Sequence, residues 1–301
     1  MNVVALSGGF GGAKFVRALV ETLGGKSVTA VVNVGDDLEL LGLRVSPDLD
    51  SVLYALADVA DEQRGWGREG ETWNALDTVA RLGAPDWFKL GDLDLGLHVV
   101  RTEALGSGEP LSSFTARTAR AFGVNATLLP ATDDELRTFV VTPAGTFSFQ
   151  EWFVVRGHRD DVDAVDVRGD ARPAPGVLDA IAAAELLLIG PSNPYVSVGP
   201  ILAVAEIRSA LQARRVPCVA VSPLVGGRAV KGPADRMLAR LAGGTTPAHV
   251  ASVYSGLIDA LVVDEDDDVS ELDVRPIVTR TLMRDEESRR RVAEAALSVP
   301  V

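Results

Sequence analysis

The sequence predicts an α/β protein in which helices flank a mostly parallel sheet. Near the start of the chain, an apolar run at 2–6 is followed by clustered glycines, a helical pattern at about 12–23 and a second apolar run at 27–33. This order is typical of a βαβ unit. Between 177 and 264, three further segments combine helical patterns with short runs that are almost continuously apolar. Such runs are expected of strands that are covered by helices on both faces.

The middle of the chain is predicted to be an insertion into this core. Residues 65–125 fit helices and loops, and residues 126–155 contain short runs that favour antiparallel strands. We therefore expect residues 1–64 and 177–301 to form the Rossmann-type α/β core. Residues 65–176 are expected to form an inserted helical and antiparallel β region.

The composition indicates a folded protein that does not bind nucleic acid. Of 301 residues, 47% are hydrophobic, and 29 basic side chains stand against 42 acidic ones, for a net charge of −13. Non-specific nucleic-acid binding depends on neutralising phosphates with Lys and Arg, so an acidic chain is poorly suited to it. The one cysteine, Cys218, lies in an apolar run and is expected to be buried and unreactive. Because no disulfide framework, signal-peptide pattern or membrane-spanning run is evident, we expect a cytoplasmic protein that does not bind membranes.

The segment SGGFGGAK at 7–14 is the first candidate binding site. It matches neither the P-loop nor the dinucleotide-binding pattern, because no Gly-Lys-Ser/Thr follows and Lys14 stands where a third glycine is needed. Its glycines still let a ligand approach the backbone, and a helix N-terminus offers N–H donors to an anion. We expect four residues of this loop to bind a diphosphate: Gly9, Gly11, Gly12 and Lys14. The alternative is a tight turn that binds no ligand.

A cluster of acidic residues follows the second predicted strand. Asp36 and Asp37 are adjacent in sequence. Asp48 and Asp50 follow at the start of the next predicted helix. Because Mg²⁺ is commonly held by one or two carboxylates together with substrate phosphates, we expect Asp36 and Asp37 to bind Mg²⁺ beside the glycine loop. The alternative is that Asp36 belongs to an ordinary turn and Asp48 caps the helix.

Two later loops also follow predicted strands, which is where open α/β sheets bind their ligands. The loop that begins GPSNP at 190–194 is stiffened by prolines and offers small polar side chains: Ser192, Asn193 and Ser197. The loop after the strand ending near 222 offers paired glycines and a lysine: Gly226, Gly227 and Lys231. Both loops are candidates for holding a diphosphate.

Lysine is rare in this sequence. Only four of the 29 basic residues are lysines, and three of the four flank glycine-containing loops. This distribution favours lysines that act as functional point charges. The three histidines have no metal-binding spacing, and we expect them to be structural.

Taken together, these stretches resemble the 2-phospho-L-lactate transferase family of deazaflavin coenzyme biosynthesis. The matching stretches follow one another along nearly the whole chain: SGGFGGAK, NVGDD, SPDLDSVLYALAD, WFKLGDLDLG, GPSNPYVSVGPIL and SPLVGGRAVKGPAD. The resemblance implies a Rossmann-like core with an inserted part, a dependence on Mg²⁺ and a homodimer. It also implies transfer of a phosphoenolpyruvyl or 2-phospholactyl group from its guanosine diphosphate conjugate to the ribityl hydroxyl of 7,8-didemethyl-8-hydroxy-5-deazariboflavin, with release of GMP.

The resemblance also assigns roles to individual residues. Asp50 and Lys89 match positions that contact the deazaflavin acceptor, and the glycine loop and the two later loops match the nucleotide-diphosphate site. In such a transfer, Lys14 and Lys231 would orient the transferred group for in-line attack. Asp50 is the first candidate to remove the proton of the acceptor hydroxyl. The composition, rich in Ala, Arg, Val and Asp, resembles that of actinobacterial members, which are taken to use the phosphoenolpyruvyl donor.

Two other functions are open at this point. A related bacterial family with a similar glycine loop binds uridine-linked sugars and is not established as enzymatic, but the continuation LELLGLRVSPDLD after the paired acids favours the transferase. A nicotinamide dehydrogenase is disfavoured by the missing third glycine. No motif distinguishes a phosphoenolpyruvyl from a 2-phospholactyl donor.

Overall fold

The computed structural model describes residues 1–299, and helices flank a parallel sheet of seven strands at its centre. In chain order, the strands are β1 (Val3–Ser7), β2 (Val28–Val32), β3 (Leu38–Leu40), β4 (Leu43–Val45), β5 (Thr127–Pro130), β6 (Arg137–Thr142), β7 (Gly145–Ser148), β8 (Ala164–Arg168), β9 (Leu186–Ile189), β10 (Cys218–Val221), β11 (Leu224–Val225), β12 (Arg228–Ala229), β13 (Ala260–Asp264) and β14 (Arg275–Thr279). The helices are α1 (Gly9–Leu23), α2 (Pro47–Leu56), α3 (Asn74–Arg81), α4 (Asp92–Gly106), α5 (Leu111–Ala121), α6 (Val177–Ala183), α7 (Gly199–Ala203), α8 (Ala205–Gln212), α9 (Ala234–Leu241), α10 (Pro247–Val253) and α11 (Glu286–Leu297). The predicted α/β fold with a mostly parallel sheet is confirmed.

The order of the strands defines where a ligand is expected to bind. The sheet runs β14-β13-β10-β9-β1-β2-β5, and every neighbouring pair is parallel. From β1, the chain adds β2 and β5 on one side, whereas β9 and the later strands extend the sheet on the other side. The direction of growth therefore reverses between β1 and β9. In open α/β sheets, ligands bind outside the carboxyl ends of the strands at such a reversal.

Helix α1 connects β1 to β2 and packs on the core. It begins at Gly9, three residues earlier than the sequence pattern predicts, and it ends at Leu23, followed by Gly24, whose φ of 82° suits glycine. Phe15 and Leu19, one turn apart, have no exposed surface. Their burial fixes α1 against the sheet, so the glycines at its N-terminus are held at the carboxyl end of β1.

The inserted region differs from the prediction at two places. The run at 126–130 was expected to be antiparallel, and this is wrong, because β5 pairs in parallel with β2, with Thr127 opposite Thr29. Helices α2 to α5 lie between these strands and supply the crossover that a parallel pair requires. The expected strand beyond Ser148 is also wrong, since Glu151–Val155 forms a π-helical turn. The antiparallel pairing of β6 with β7 is confirmed, and β8 adds a third strand.

Two short hairpins lie outside the large sheet, β3–β4 after β2 and β11–β12 after β10. Both follow strands of the core at their carboxyl ends and so extend the edge at which a ligand is expected. Within residues 1–299, none of the helices has the length and apolar character that crossing a membrane requires.

Candidate functional site

A cavity of about 660 Å³ lies beside the carboxyl ends of β1 and β9. This volume is within the range of about 300–1,000 Å³ that is usual for small-molecule sites. Its lining combines the loops after β1, β9 and β10 with helix α2 and with parts of the inserted region. Core and insertion therefore share one cavity, at the position where the strand order reverses.

The glycine loop forms part of the cavity wall, and neighbouring loops pack closely against it. Gly9 and Gly11 line the cavity, whereas Gly12 faces Ser192 and Ser7 and does not. A Cβ atom on Gly11 would lie 2.9 Å from the backbone oxygen of Pro191. Two of these glycines are thus needed for packing between the loops, and this requirement is separate from any contact with a ligand.

Lys14 and Lys231 lie together in the cavity wall. Their ammonium groups lie 4.7 Å and 5.3 Å from the centre of the Phe10 ring. The Lys14 ammonium donates to the carbonyl of Met283 at 3.2 Å, and the Lys231 ammonium donates to the carbonyl of Gly65 at 3.2 Å. Burial lowers the pKa of both lysines, and the charge of Lys14 lowers that of Lys231 further. Two cations held this close to one another suit a ligand that carries more than one negative charge.

Four acidic residues line the same cavity, and three of them belong to the cluster after β2: Asp36, Asp48 and Asp50. Asp48 accepts hydrogen bonds from the backbone N–H of Gly9 at 2.8 Å and from the amide of Asn33 at 2.9 Å. It therefore joins the glycine loop to β2 and does not cap α2. Burial raises the pKa of Asp48 to about 6, and it raises that of Asp36 well above its usual value, with the charges of Asp48 and Asp37 adding to the effect. Asp36 and Asp48 are thus buried carboxyl groups without an ion-pair partner among the described residues.

The predicted magnesium ligands differ in their positions. Asp36 lines the cavity, and its Oδ1 atom is buried without a hydrogen-bond partner. Asp37 lies outside the lining, and its Oδ2 atom accepts a hydrogen bond from Ser46 at 2.6 Å. Burial raises the pKa of Asp37 to about 7. Within residues 1–299, no group of three or more His, Cys, Asp or Glu side chains is placed to hold a metal ion. Asp36 fits Mg²⁺ that completes its coordination with substrate phosphates and water, whereas Asp37 does not face that position.

Asp50 is held by a buried arginine. Both of its carboxylate oxygens accept hydrogen bonds from Arg101 on α4, one of them from Nη1 at 3.0 Å. Asp50 and Arg101 are 4% and 2% exposed, so the pair is shielded from water. His98, one turn earlier on α4, also lines the cavity.

The inserted region supplies aromatic side chains and a lysine. Two groups of aromatic residues line the cavity: Trp66, Trp87 and Phe88 in one, and Phe149 and Phe153 in the other. The rings of Phe149 and Phe153 are stacked, with centroids 5.2 Å apart. Lys89 also lines the cavity. Its ammonium nitrogen lies 3.7 Å from a carboxylate oxygen of Asp86, in a half-exposed ion pair. Flat rings of this kind are suited to stacking against an aromatic heterocycle.

The two later loops contribute to different extents. Three side chains of the first loop line the cavity: Ser192, Asn193 and Ser197. The side-chain oxygen of Asn193 accepts a hydrogen bond from the backbone N–H of Tyr195 at 3.0 Å. Lys231 reaches the cavity from the segment after β12.

The paired glycines of the second loop lie elsewhere. Gly226 and Gly227 form the turn of the β11–β12 hairpin and are not part of the lining. The N–H of Gly227 donates to the carboxylate of Asp267 at 3.0 Å, so it is not available to a diphosphate in this arrangement. The predicted contact of these glycines with a nucleotide stays a prediction that the positions do not favour.

Several lining residues were not predicted from the sequence. Asp94 on α4, Tyr54 on α2, Gln150 after β7 and Thr281 after β14 all reach the cavity, and His98 was expected to be only structural. His98 and Arg101 are three apart on one helix, so they share a face, but nothing in that spacing indicates a buried acid opposite them. Within the inserted region, only the aromatic stretch WFKLG at 87–91 indicated from the sequence that residues there contribute to the site.

Residues 3–293 match the model of the protein family described as 2-phospho-L-lactate transferase CofD. The chain belongs to this family. A relative from Streptomyces griseus named phosphoenolpyruvate transferase is 40% identical over 99% of this chain and 98% of its own. A relative of the same name from Mycolicibacterium smegmatis is 37% identical, again over 99% of this chain and 98% of its own.

A solved structure from outside these relatives shares the fold. Protein BH3568 from Bacillus halodurans superimposes with a TM-score of 0.70 over 99% of both chains, at 19% identity. This likeness supports the architecture alone. The family membership makes the protein a transferase, and the cavity described above is its candidate active site.

Proposed function

We propose that the protein transfers a phosphoenolpyruvyl group from its guanosine diphosphate conjugate to the ribityl hydroxyl of 7,8-didemethyl-8-hydroxy-5-deazariboflavin and releases GMP. One observation carries the proposal: a single cavity is lined by the glycine loop with Lys14 and Lys231, the glycine-loop wall, and by the aromatic side chains of the inserted region, the aromatic wall. Asp50 and Lys89 line the same cavity. A reaction between an anionic donor and an aromatic acceptor needs both surfaces within one site. The names of the curated relatives support the phosphoenolpyruvyl donor.

The donor diphosphate would bind beside Lys14 and Lys231. The protein as a whole carries a net charge of −13, so a strongly anionic donor must find its positive charge locally. The two lysines and the N-terminus of α1 are the cationic groups that the glycine-loop wall offers. Ser192 and Asn193 would add short polar contacts from the neighbouring loop.

Mg²⁺ would be held by the free carboxylate oxygen of Asp36 together with the donor phosphates. When bound, the cation neutralises charge on the diphosphate and on the departing GMP. Asp37, behind Asp36, would act from outside the cavity by holding Ser46 and the start of α2 in place.

The acceptor would lie on the aromatic wall, with its ribityl chain directed at Asp50. Its terminal hydroxyl oxygen would attack the phosphorus that carries the three-carbon acid, and the bond from that phosphorus to the oxygen of GMP would break. The hydroxyl proton would pass to a carboxylate of the cavity. Asp50 would accept the hydroxyl hydrogen bond and orient the attacking oxygen, and Lys89 would contact the acceptor from the mouth of the cavity.

An assay with purified protein tests the proposal. The protein is incubated with Mg²⁺, the deazaflavin and either the phosphoenolpyruvyl or the 2-phospholactyl conjugate of guanosine diphosphate, and products are identified by mass. We expect GMP and the phosphoenolpyruvyl deazaflavin. A larger turnover with the 2-phospholactyl conjugate would correct the donor, and the absence of GMP with both donors would refute the reaction.

The other function kept open is a regulatory protein that binds a nucleotide sugar. Thermal denaturation with separate ligands distinguishes the two, because a ligand that binds only the folded state raises the midpoint temperature. Stabilisation by the deazaflavin and by GMP supports the transferase, whereas stabilisation by a uridine-linked sugar alone supports the regulator. We further propose a homodimer, which rests on the family resemblance and is tested by light scattering of the purified protein. A cytoplasmic location is proposed from the single cysteine and the lack of a signal-peptide pattern.

A further inference from the structure

A buried arginine lies directly behind the proposed acceptor-binding carboxylate. Arg101 of α4 is 2% exposed and does not line the cavity, whereas Asp50 of α2 does. Both carboxylate oxygens of Asp50 accept from this one guanidinium group. A two-point contact of this kind fixes the plane of a carboxylate as well as its position. We propose that Arg101 is a positioning residue, which holds Asp50 in the orientation that binds the acceptor.

The guanidinium group is itself fixed on its other sides. Its Nη1 atom lies 3.3 Å from Nδ1 of His98 and 3.5 Å from the carbonyl oxygen of Arg44, to which it donates. Burial lowers the pKa of His98 to about 4, so its imidazole is neutral near pH 7 and can accept a hydrogen bond from Arg101. The ring of Phe114, from α5, lies 5.4 Å from the guanidinium carbon. Contacts from three elements therefore leave Arg101 little freedom to rotate.

The arrangement gives Asp50 a function different from that of a free carboxylate. An unpaired carboxylate in so buried a place would be costly, and removing one partner of a buried pair is strongly destabilising. The pairing keeps the anion in the cavity wall while leaving lone pairs of its oxygens on the cavity side for a hydroxyl donor. Arg101 thus acts on the acceptor only through Asp50. This inference rests on the proposed function, because it assumes that Asp50 binds the acceptor.

The variant Arg101→Lys tests the inference. Lysine keeps the charge but cannot make the two-point contact. We expect its dissociation constant for the deazaflavin, measured by titration calorimetry, and its acceptor KM to rise about tenfold or more, which corresponds to about 1.4 kcal/mol. Its donor KM is expected to stay unchanged. A merely structural role would lower the fraction of active protein and leave the acceptor KM as it is.

Arg117→Lys is the matched control. Arg117 lies 5.1 Å from the same Phe114 ring and pairs at the surface with Glu109, so this variant changes a neighbouring arginine without touching Asp50. We expect wild-type acceptor binding. Equal acceptor binding by wild type and Arg101→Lys would overturn the inference alone. A wild-type protein that does not bind the deazaflavin would overturn the proposed function and the inference with it.

A second comparison keeps the inference testable if Arg101→Lys does not fold. The double variant Asp50→Asn/Arg101→Met replaces the buried pair by neutral side chains, an exchange that proteins often tolerate. If Arg101 acts only through Asp50, the double variant binds the deazaflavin as weakly as Asp50→Asn alone. A further loss of affinity in the double variant would show an independent contact by Arg101 and would overturn the inference.

Discussion

The buried carboxyl group of Asp94 should make folding stability depend on pH in a way that one substitution removes. Asp94 is 6% exposed, and burial, with the charges of Glu71 and Asp50, raises its pKa from 3.8 to about 6. The folded state therefore favours the protonated form. Its stabilising contribution is complete below the unfolded pKa near 3.8 and is lost as the pH rises through about 6. At about 1.4 kcal/mol for each pKa unit, the loss at neutral pH is about 3 kcal/mol.

Asp94→Asn replaces this group with a side chain of the same shape that does not titrate. Urea denaturation of both proteins between pH 4 and 8, with chelator present, gives the free energy of unfolding at each pH. We expect the free energy of unfolding of the variant, relative to that of wild type, to increase by about 3 kcal/mol from the acid to the neutral part of this pH range. A difference that stays constant across the range would refute the reasoning, because a constant offset reflects packing and not ionisation.

Asp92→Asn, two residues earlier, is the control with the opposite sign. Hydrogen bonds from Thr72, from the backbone N–H of Ala75 and from Asn74 lower the pKa of Asp92 to about 2. Its stabilising contribution is therefore present above the unfolded pKa and is lost as the pH falls through about 2. We expect this variant to be less stable than wild type at neutral pH and to approach it under acid conditions.

Three further predictions concern the donor side of the cavity. Lys14→Gln and Lys231→Gln should each raise the donor KM about tenfold or more and leave the acceptor KM unchanged, since a hydrogen bond to a charged group contributes about 1.5–3 kcal/mol. Donor KM values equal to that of wild type in steady-state assays would contradict this prediction. Asp36→Asn should reduce magnesium-dependent turnover more than Asp37→Asn does, which a magnesium titration of both variants measures; the reverse order would exclude Asp36 as the main ligand. Gly11→Ala should lower the midpoint of thermal unfolding, because its Cβ would meet the Pro191 oxygen at 2.9 Å and overpacking costs about 1–3 kcal/mol; an unchanged midpoint would show that the loop relaxes freely.

The core of the fold could be predicted because its strands are short apolar runs set between helical patterns. The direction of β5 could not be predicted, since the apolar pattern of the four residues TLLP indicates a strand but not the direction in which it pairs. Strand β14 was missed for a different reason. It contains Pro276 and lies at the edge of the sheet with mostly exposed residues, a combination that local patterns describe as a loop.

The candidate site shows the same division between local and long-range information. The glycine loop, the acids after β2 and the GPSNP loop are each local motifs, and residues of all three line one cavity, although Asp37 does not. The pairing of Asp50 with Arg101 spans 51 positions and depends on how α2 packs against α4, which neither helix indicates by itself. Likewise, the engagement of Gly227 by Asp267 depends on the approach of two loops that are 40 residues apart. Local motifs therefore indicate residues of the cavity lining better than they indicate the buried contacts behind it.

The two walls of the cavity come from different parts of the chain, and this has a consequence for how the protein can change. Lys14 lies on α1 directly after β1, and Ser192, Asn193 and Ser197 follow β9, so strands of the core sheet position these groups. The aromatic residues lie in segments that are inserted between β2 and β9 and make no pairing within that sheet. Substitutions at Trp87 or Phe88 can therefore alter the shape of the proposed acceptor pocket while leaving in place the Gly65 carbonyl that holds Lys231. In the proposed reaction, the acceptor alcohol can in this way be changed by replacing one segment, by natural divergence or by design.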